Sequence, residues 1–419
     1  MKIIRTSAFS ALATAALFSS YAPSALTQSE AEPAIEEVVV RAHPLSAEGL
    51  AQPSAVLNSD QLQRVVASSL GETLVGLPSV HSSSFGQAVG RPIIRGLGGP
   101  RVKTMEDRID SLDVSVSSPD HLTTVEPFAA NSIEVLKGPS TLLYGTGAIG
   151  GVVDVHTGRI PHEVPDKVSV QVDARGADNA ERRSTAAKLD AGIGGFAIHL
   201  DGFYREADDY EIPGFAESRG LRALEEAEHE GEEEHEEEEE HGHEEEEAFG
   251  ELPGSDLKSH GGAFGLSYVG ERGFIGLAVS SYEAEYGLPG HGHHEEEGHD
   301  EEEAEEEHEE EEEEGNPNLD LEQTRIDFEA GLSEPFAGIE SINLRIGAND
   351  YEHIEVEGNG EPGTTFSTEA YEARIELVHE EALGIKGSFG VQVSQREFEA
   401  DGEEAFVRPV DTDNYGVFY

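Results

Sequence analysis

Ile342-Asn343-Leu344-Arg345-Ile346-Gly347-Ala348-Asn349 alternates apolar and polar or glycine positions without a break. Successive side chains of a β-strand point to opposite faces. Ile342, Leu344, Ile346 and Ala348 therefore share one face, and Asn343, Arg345, Gly347 and Asn349 the other. The same texture recurs on both sides. Phe196, Ile198, Leu200, Gly202 and Tyr204 alternate with Ala197, His199, Asp201 and Arg205. Thr324, Ile326, Phe328, Ala330 and Leu332 alternate with Arg325, Asp327 and Glu329. Tyr371, Ala373, Ile375 and Leu377 alternate with Glu372, Arg374 and Glu376. Apolar outside and polar inside, over about ten residues, is the pattern of a strand crossing a membrane in a closed barrel.

The connections support this. Gly192–Gly195, Glu271–Gly273, Glu334–Gly338 and Glu380–Gly384 are tight, whereas 206–258, 285–319, 354–366 and 400–412 are long. Short turns on one side and long loops on the other are the barrel signature. The fold expected from 164–419 is a partial transmembrane antiparallel β-barrel of about ten strands, the last beginning near Tyr415.

The charge is concentrated. The chain of 419 residues has 27 Lys+Arg, 87 Asp+Glu and a net charge of −60. Segments 225–247 and 291–314 alone hold 32 of the acids and 9 of the 18 histidines. What remains is only modestly acidic. No nucleic acid is expected as a partner, because a phosphate backbone requires a basic footprint. The absence of cysteine removes disulfides, thiolate catalysis and thiolate metal sites, so any metal ligand must be His or carboxylate.

Residues 1–27 have a positive start at Lys2 and Arg5, a short apolar run from Ala8 to Phe18, and small residues near Ala25. That is the layout of a secretory signal, and it is too short to span a bilayer. With no later apolar run of helix-spanning length, membrane insertion must use strands. Residues 28–45 form a linker containing the extended Ile35-Glu36-Glu37-Val38-Val39-Val40-Arg41-Ala42. Residues 46–163 read as a compact α+β domain, with helical apolar spacing over Leu62–Leu74 and strands at Ile133–Leu136 and Val152–Val155. Gly96-Leu97-Gly98-Gly99 lacks the lysine and the strand-to-helix setting of a phosphate loop. No nucleophile–base constellation is present, so an enzyme is not expected and no catalytic cofactor is called for.

These residues resemble the TonB-dependent outer-membrane receptors. Ile35–Ala42 looks like the TonB box. Arg91-Pro92-Ile93-Ile94-Arg95-Gly96 resembles the first conserved block of the plug domain. Ile133-Glu134-Val135-Leu136-Lys137-Gly138-Pro139, Leu143-Tyr144-Gly145 and Gly150-Gly151-Val152-Val153-Asp154-Val155 resemble the second. The resemblance implies an N-terminal plug inside a 22-stranded barrel in the bacterial outer membrane, surrounded by its lipid. It also implies that periplasmic TonB, of the TonB–ExbB–ExbD complex, pulls on Ile35, Glu36, Glu37, Val38, Val39 and Val40.

Within the family the similarity is to the zinc-uptake type, carried by Ser118-Pro119-Asp120-His121, Gly287-Leu288-Pro289-Gly290-His291 and Asn349-Asp350-Tyr351-Glu352-His353-Ile354-Glu355. In that type an Asp-His pair at the plug apex binds zinc together with a barrel glutamate and a more C-terminal histidine. Asp120 and His121 match the pair, Glu355 matches the glutamate, and the last histidine would lie beyond residue 419.

Parity gives a separate argument. If the first strand starts at the periplasm, the tight turns are periplasmic and both acidic His tracts face outside. The seventh strand then runs outward from about 340, and its lumen face carries Tyr351, His353 and Glu355. His353 is thus a second candidate beside Glu355. A carboxylate and imidazole set suits Zn²⁺ as the transported ligand, and also other divalent transition metals. His229, His235, His241, His243, His291, His293, His294, His299 and His308 lie in the external tracts, where they are expected to capture metal loosely. The same architecture could instead serve a siderophore or haem. A passive metal-sequestering or adhesive surface protein is the reading from another class.

Overall fold

The computed structural model describes residues 54–224, 248–289, 316–402, 405 and 407–419. The TonB-box segment, the signal and the nine tract histidines lie outside the described residues.

The first domain is built on a five-stranded sheet. Its strands are β1 (Ser54–Leu57), β4 (Val102–Glu106), β5 (Ile109–Asp110), β6 (Ser132–Leu136) and β7 (Gly151–His156), in the order β1-β6-β7-β4-β5. A small hairpin joins β2 (Val80–Ser82) to β3 (Pro92–Ile94). The apolar runs noted at Ile133 and Val152 are β6 and β7, with Ile133, Val135, Val153 and Val155 fully buried. The helical spacing over Leu62–Leu74 resolves into two short helices, α1 (Ser59–Val65) and α2 (Leu70–Leu74). The break has a local cause. Asn58 and Gln61 close a capping box on α1, while Ser69 starts α2 by accepting from the Glu72 amide. Leu57, Leu62, Leu70 and Leu74 then close the core over the sheet.

A second, ten-stranded sheet wraps this domain. It is an antiparallel meander of β8 (Ser169–Gly176), β9 (Arg183–Ile193), β10 (Phe196–Ala207), β13 (Leu257–Gly270), β14 (Gly273–Gly287), β15 (Asn318–Phe336), β16 (Ile339–Val356), β17 (Pro362–Ala382), β18 (Ile385–Asp401) and β19 (Val410–Phe418). Two further strands, β11 (Tyr210–Phe215) and β12 (Phe249–Leu252), form a separate hairpin within the connection between β10 and β13. On one rim the strands turn within two residues, pairing Ile193 with Phe196, Gly270 with Gly273 and Phe336 with Ile339. Gly338 takes φ +89 in one of these turns, a conformation open chiefly to glycine. The other rim carries the longer connections, but the one between β16 and β17 is only 357–361, because the ladder continues by pairing Ile354 with Thr365 and Val356 with Pro362 where a loop over 354–366 was expected.

The alternation read in the sequence is the alternation of faces. Phe196, Leu200, Ile275, Ile326, Ile375 and Phe389 are exposed on the outer face. The inner face holds Arg325, Arg345, Glu372, Arg374 and Glu376, all buried. Such polar groups tolerate burial only when paired, and the inner domain supplies the partners. Arg325 Nη1 donates to the Asp110 carbonyl at 2.8 Å, and Asn349 Nδ2 to that of Leu112 at 3.0 Å. Lys188 Nζ donates to the Ala129 carbonyl at 2.7 Å. The Lys103 ammonium lies 3.7 Å from Glu372, and Arg108 bonds Glu376 directly. The inner domain is therefore a plug held by polar contacts to the barrel wall.

Candidate metal centre

Two elements meet at the rim with the long loops. β16 supplies inward side chains at every second position, and Tyr351 and His353 are both buried there. Register places His353 opposite Leu321 on β15 and Phe366 on β17, while Glu355 faces Leu319. The plug contributes the loop that follows β5. Asp113 folds this loop back on itself by accepting from the amides of Ser115, at 3.1 Å, and Thr124, at 3.2 Å. Arg91 ties it down by donating to the Ser118 carbonyl at 2.8 Å.

His121 lies at the loop's apex with 1% of its surface exposed. Its tautomer follows from its neighbours. The Ser117 hydroxyl donates to the Val114 carbonyl at 2.6 Å, so Ser117 Oγ accepts from His121 Nδ1 at 3.0 Å. That leaves the lone pair on His121 Nε2, which faces Glu355 Oε1 at 3.4 Å. A proton or a bound cation between this nitrogen and the carboxylate oxygen would hold the contact. His353 is fully buried, its Nδ1 is bonded to the Tyr351 hydroxyl at 2.9 Å, and its Nε2 has no hydrogen-bond partner. That free nitrogen is 4.0 Å from the same Glu355 oxygen. His121, His353 and Glu355 each present one ligand atom, and these atoms all lie within 4.8 Å of one another.

The walls are aromatic. The two imidazoles meet edge to face with centroids 4.3 Å apart, and Phe366 stacks on His353 at 4.7 Å. Tyr286, fully buried on β14, donates to the Asp120 carbonyl at 3.1 Å and accepts from the Leu122 amide at 3.2 Å. Two imidazoles and one carboxylate form a site that suits a borderline divalent ion.

Of the residues singled out from sequence, His121, His353 and Glu355 come together. Asp120 does not join them. Its carboxylate accepts from the Ser118 hydroxyl and is not among the three converging groups. Sequence reasoning missed Ser117, Tyr286 and Phe366. Tyr286 had a faint signal, because it directly precedes the Gly287-Leu288-Pro289-Gly290 block.

Comparisons with known proteins fit this architecture. Residues 46–152 match the family model described as the TonB-dependent receptor plug domain. Residues 46–152 are thus a plug domain of that kind. A hemin receptor of Yersinia enterocolitica is 31% identical over 105 residues, covering 24% of this chain and 15% of that protein. A copper transporter, OprC, superposes with a TM-score of 0.60 at 16% identity over 87% of this chain and 50% of its own length. The iron transporter FrpB of Neisseria meningitidis gives 0.58 at 13% identity over 83% of this chain and 48% of its own. At those identities the two structures speak for the fold alone: an antiparallel β-barrel wall around a plug. The chain spans about half the length of these solved structures.

Proposed function

We propose that the protein imports a divalent transition metal ion, zinc foremost, across the outer membrane in a TonB-dependent manner. The observation that carries the reading is the convergence of His121, His353 and Glu355, with both histidines buried and His353 Nε2 lacking a hydrogen-bond partner. Two imidazoles and a carboxylate are a common Zn²⁺ shell with one position open. The ligand set contains no thiolate or thioether, so Cu⁺ is disfavoured, while Cu²⁺ remains the strongest competitor by intrinsic affinity. Asp120, next in the chain to His121, belongs to this proposal as an adjoining carboxylate. The nine tract histidines serve as a loose antenna that raises local metal concentration at the mouth. TonB would grip Ile35–Ala42 by strand addition and pull the plug loop, with His121, away from the barrel ligands.

Haem is the second reading, favoured by the names of the hemin receptors that match the plug region. Against it, His121 and His353 touch edge to face at 4.3 Å, and no macrocycle fits between them. The test is metal-competition binding on the complete protein, with Asp120→Ala and His121→Ala controls. Zinc binding that falls in His121→Ala supports the reading. Preference for haem or an iron–siderophore, or zinc binding untouched in both variants, rejects it.

A further inference from the structure

The plug must release His121 for cargo to pass, yet it must hold His121 accurately while the ion is captured. Both demands meet on a barrel residue that is not itself a ligand. Tyr286 sits one residue from the end of β14, where Gly287 has no space for a side chain: a Cβ there would lie 2.5 Å from the Gly254 carbonyl and 2.6 Å from Asp256 Oδ1. The strand end is thus fixed closely. From it the Tyr286 ring extends into an apolar cluster shared by plug and barrel, packed with Val114, Leu122, Leu288, Leu319 and Tyr351. The hydroxyl emerges at one point only. There it donates to the Asp120 carbonyl and accepts from the Leu122 amide. These are the backbone groups immediately before and after His121.

We propose that Tyr286 is the positioning residue of the metal site. Its hydroxyl closes a bridge across His121, fixing the backbone from which the imidazole projects to Glu355 on the barrel's coordinate frame. A phenol suits the task because its rigid ring has few torsions to freeze, and burial strengthens both hydrogen bonds. Partners that orient a ligand without touching the metal are typically worth ~10–100-fold in affinity. The bridge joins plug to barrel, so moving the apical loop breaks it and the ligand set in one event. Its partners span both components, which distinguishes it from Ser117, a partner of His121 inside the plug. The inference rests on the metal reading above and deepens it.

The experiment compares the complete protein with Tyr286→Phe, which keeps the ring and removes the hydroxyl. Tyr282→Phe, in the same apolar cluster, is the control, and His121→Ala provides the background for a double-mutant comparison. Zinc affinity is read by competition with a chromophoric chelator, and ligand geometry by the visible absorption of bound Co²⁺. The expected result is a roughly 10–100-fold loss in Tyr286→Phe, a shifted Co²⁺ spectrum, no change in Tyr282→Phe, and no further loss when Tyr286→Phe is added to His121→Ala. Unchanged affinity and spectrum in a folded Tyr286→Phe would overturn the positioning role and leave the metal site standing. A wild-type protein that binds no zinc would overturn the metal reading and this role with it. Heat-modifiable gel mobility reports folding, and backbone amide exchange at Leu122 gives a readout that needs no metal: exchange as slow in Tyr286→Phe as in wild type also overturns the proposal.

Discussion

Replacing Glu376 with alanine should loosen the plug. Glu376 lies on the inner face of β17 with 1% of its surface exposed. Its Oε2 pairs with Arg108 of the plug and lies 3.4 Å from Arg345 Nη1. Its Oε1 accepts from Arg374 at 2.9 and 2.8 Å. Three guanidinium groups thus share one buried carboxylate. Removing one member of a buried ion pair costs about 3–5 kcal/mol, because the remaining charge is left uncompensated. Arg374 and Arg345 belong to the barrel and lose Glu376 whether or not the plug is docked, so only the Arg108 share weakens docking. Taking the low end, about 3 kcal/mol, the population of undocked plug should rise roughly 100-fold. Arg108 also donates its backbone amide to Asp154 Oδ1 at 3.0 Å, so the loss reaches the plug's central strand. Hydrogen exchange on the complete protein measures it directly. Protection at the β4 and β7 amides should fall about 100-fold in Glu376→Ala and less in Glu376→Gln, which keeps an acceptor. Cells carrying the alanine variant should admit a large antibiotic that the docked plug excludes. Exchange within threefold of wild type at β4 and β7 would refute this account of plug retention.

Three further outcomes are expected. Val38→Pro should abolish TonB-dependent uptake while zinc binding survives, since proline removes a donor from the segment that strand addition requires; uptake that persists would show that the box lies elsewhere. Deleting 225–247 and 291–314 should reduce uptake at scarce zinc and leave it unchanged at ample zinc; equal uptake at both would remove the antenna. Plug stability should fall on the alkaline side. Burial alone would lower the His156 pKa, but Asp154, Asp107 and Glu134 around it prevail and raise it to about 10. This contribution is complete below the ordinary value of 6.5 and is lost as pH rises from there through about 10. Plug melting should therefore decline over that range in wild type and stay flatter in His156→Gln; parallel profiles would exclude His156 as the cause.

What was legible in the sequence follows from period and reach. The β16 alternation is local, so strand, faces and the inward direction of His353 and Glu355 could all be read from spacing. The loop after β5 is different. Its shape depends on Asp113 bonding residues up to 11 positions away and on Arg91 reaching Ser118, so nothing in the Asp120-His121 dipeptide reveals that Asp120 bonds Ser118 while His121 meets Glu355. Tyr286 and Phe366 reach the site through strand register and plug docking, which are long-range properties. The split of Leu62–Leu74 into two helices turned on Ser69, a capping signal weaker than the apolar spacing around it.

The central claim is that a metal ion is held by ligands from both plug and barrel. X-ray absorption at the zinc edge, on the complete protein loaded with one equivalent of zinc, tests this most directly. The account predicts a low-coordinate nitrogen and oxygen shell at about 2.0–2.2 Å with scattering from at least two imidazoles, one of which disappears in His121→Ala and one in His353→Ala. A six-oxygen hydrated ion, or an imidazole count that neither substitution changes, would contradict it.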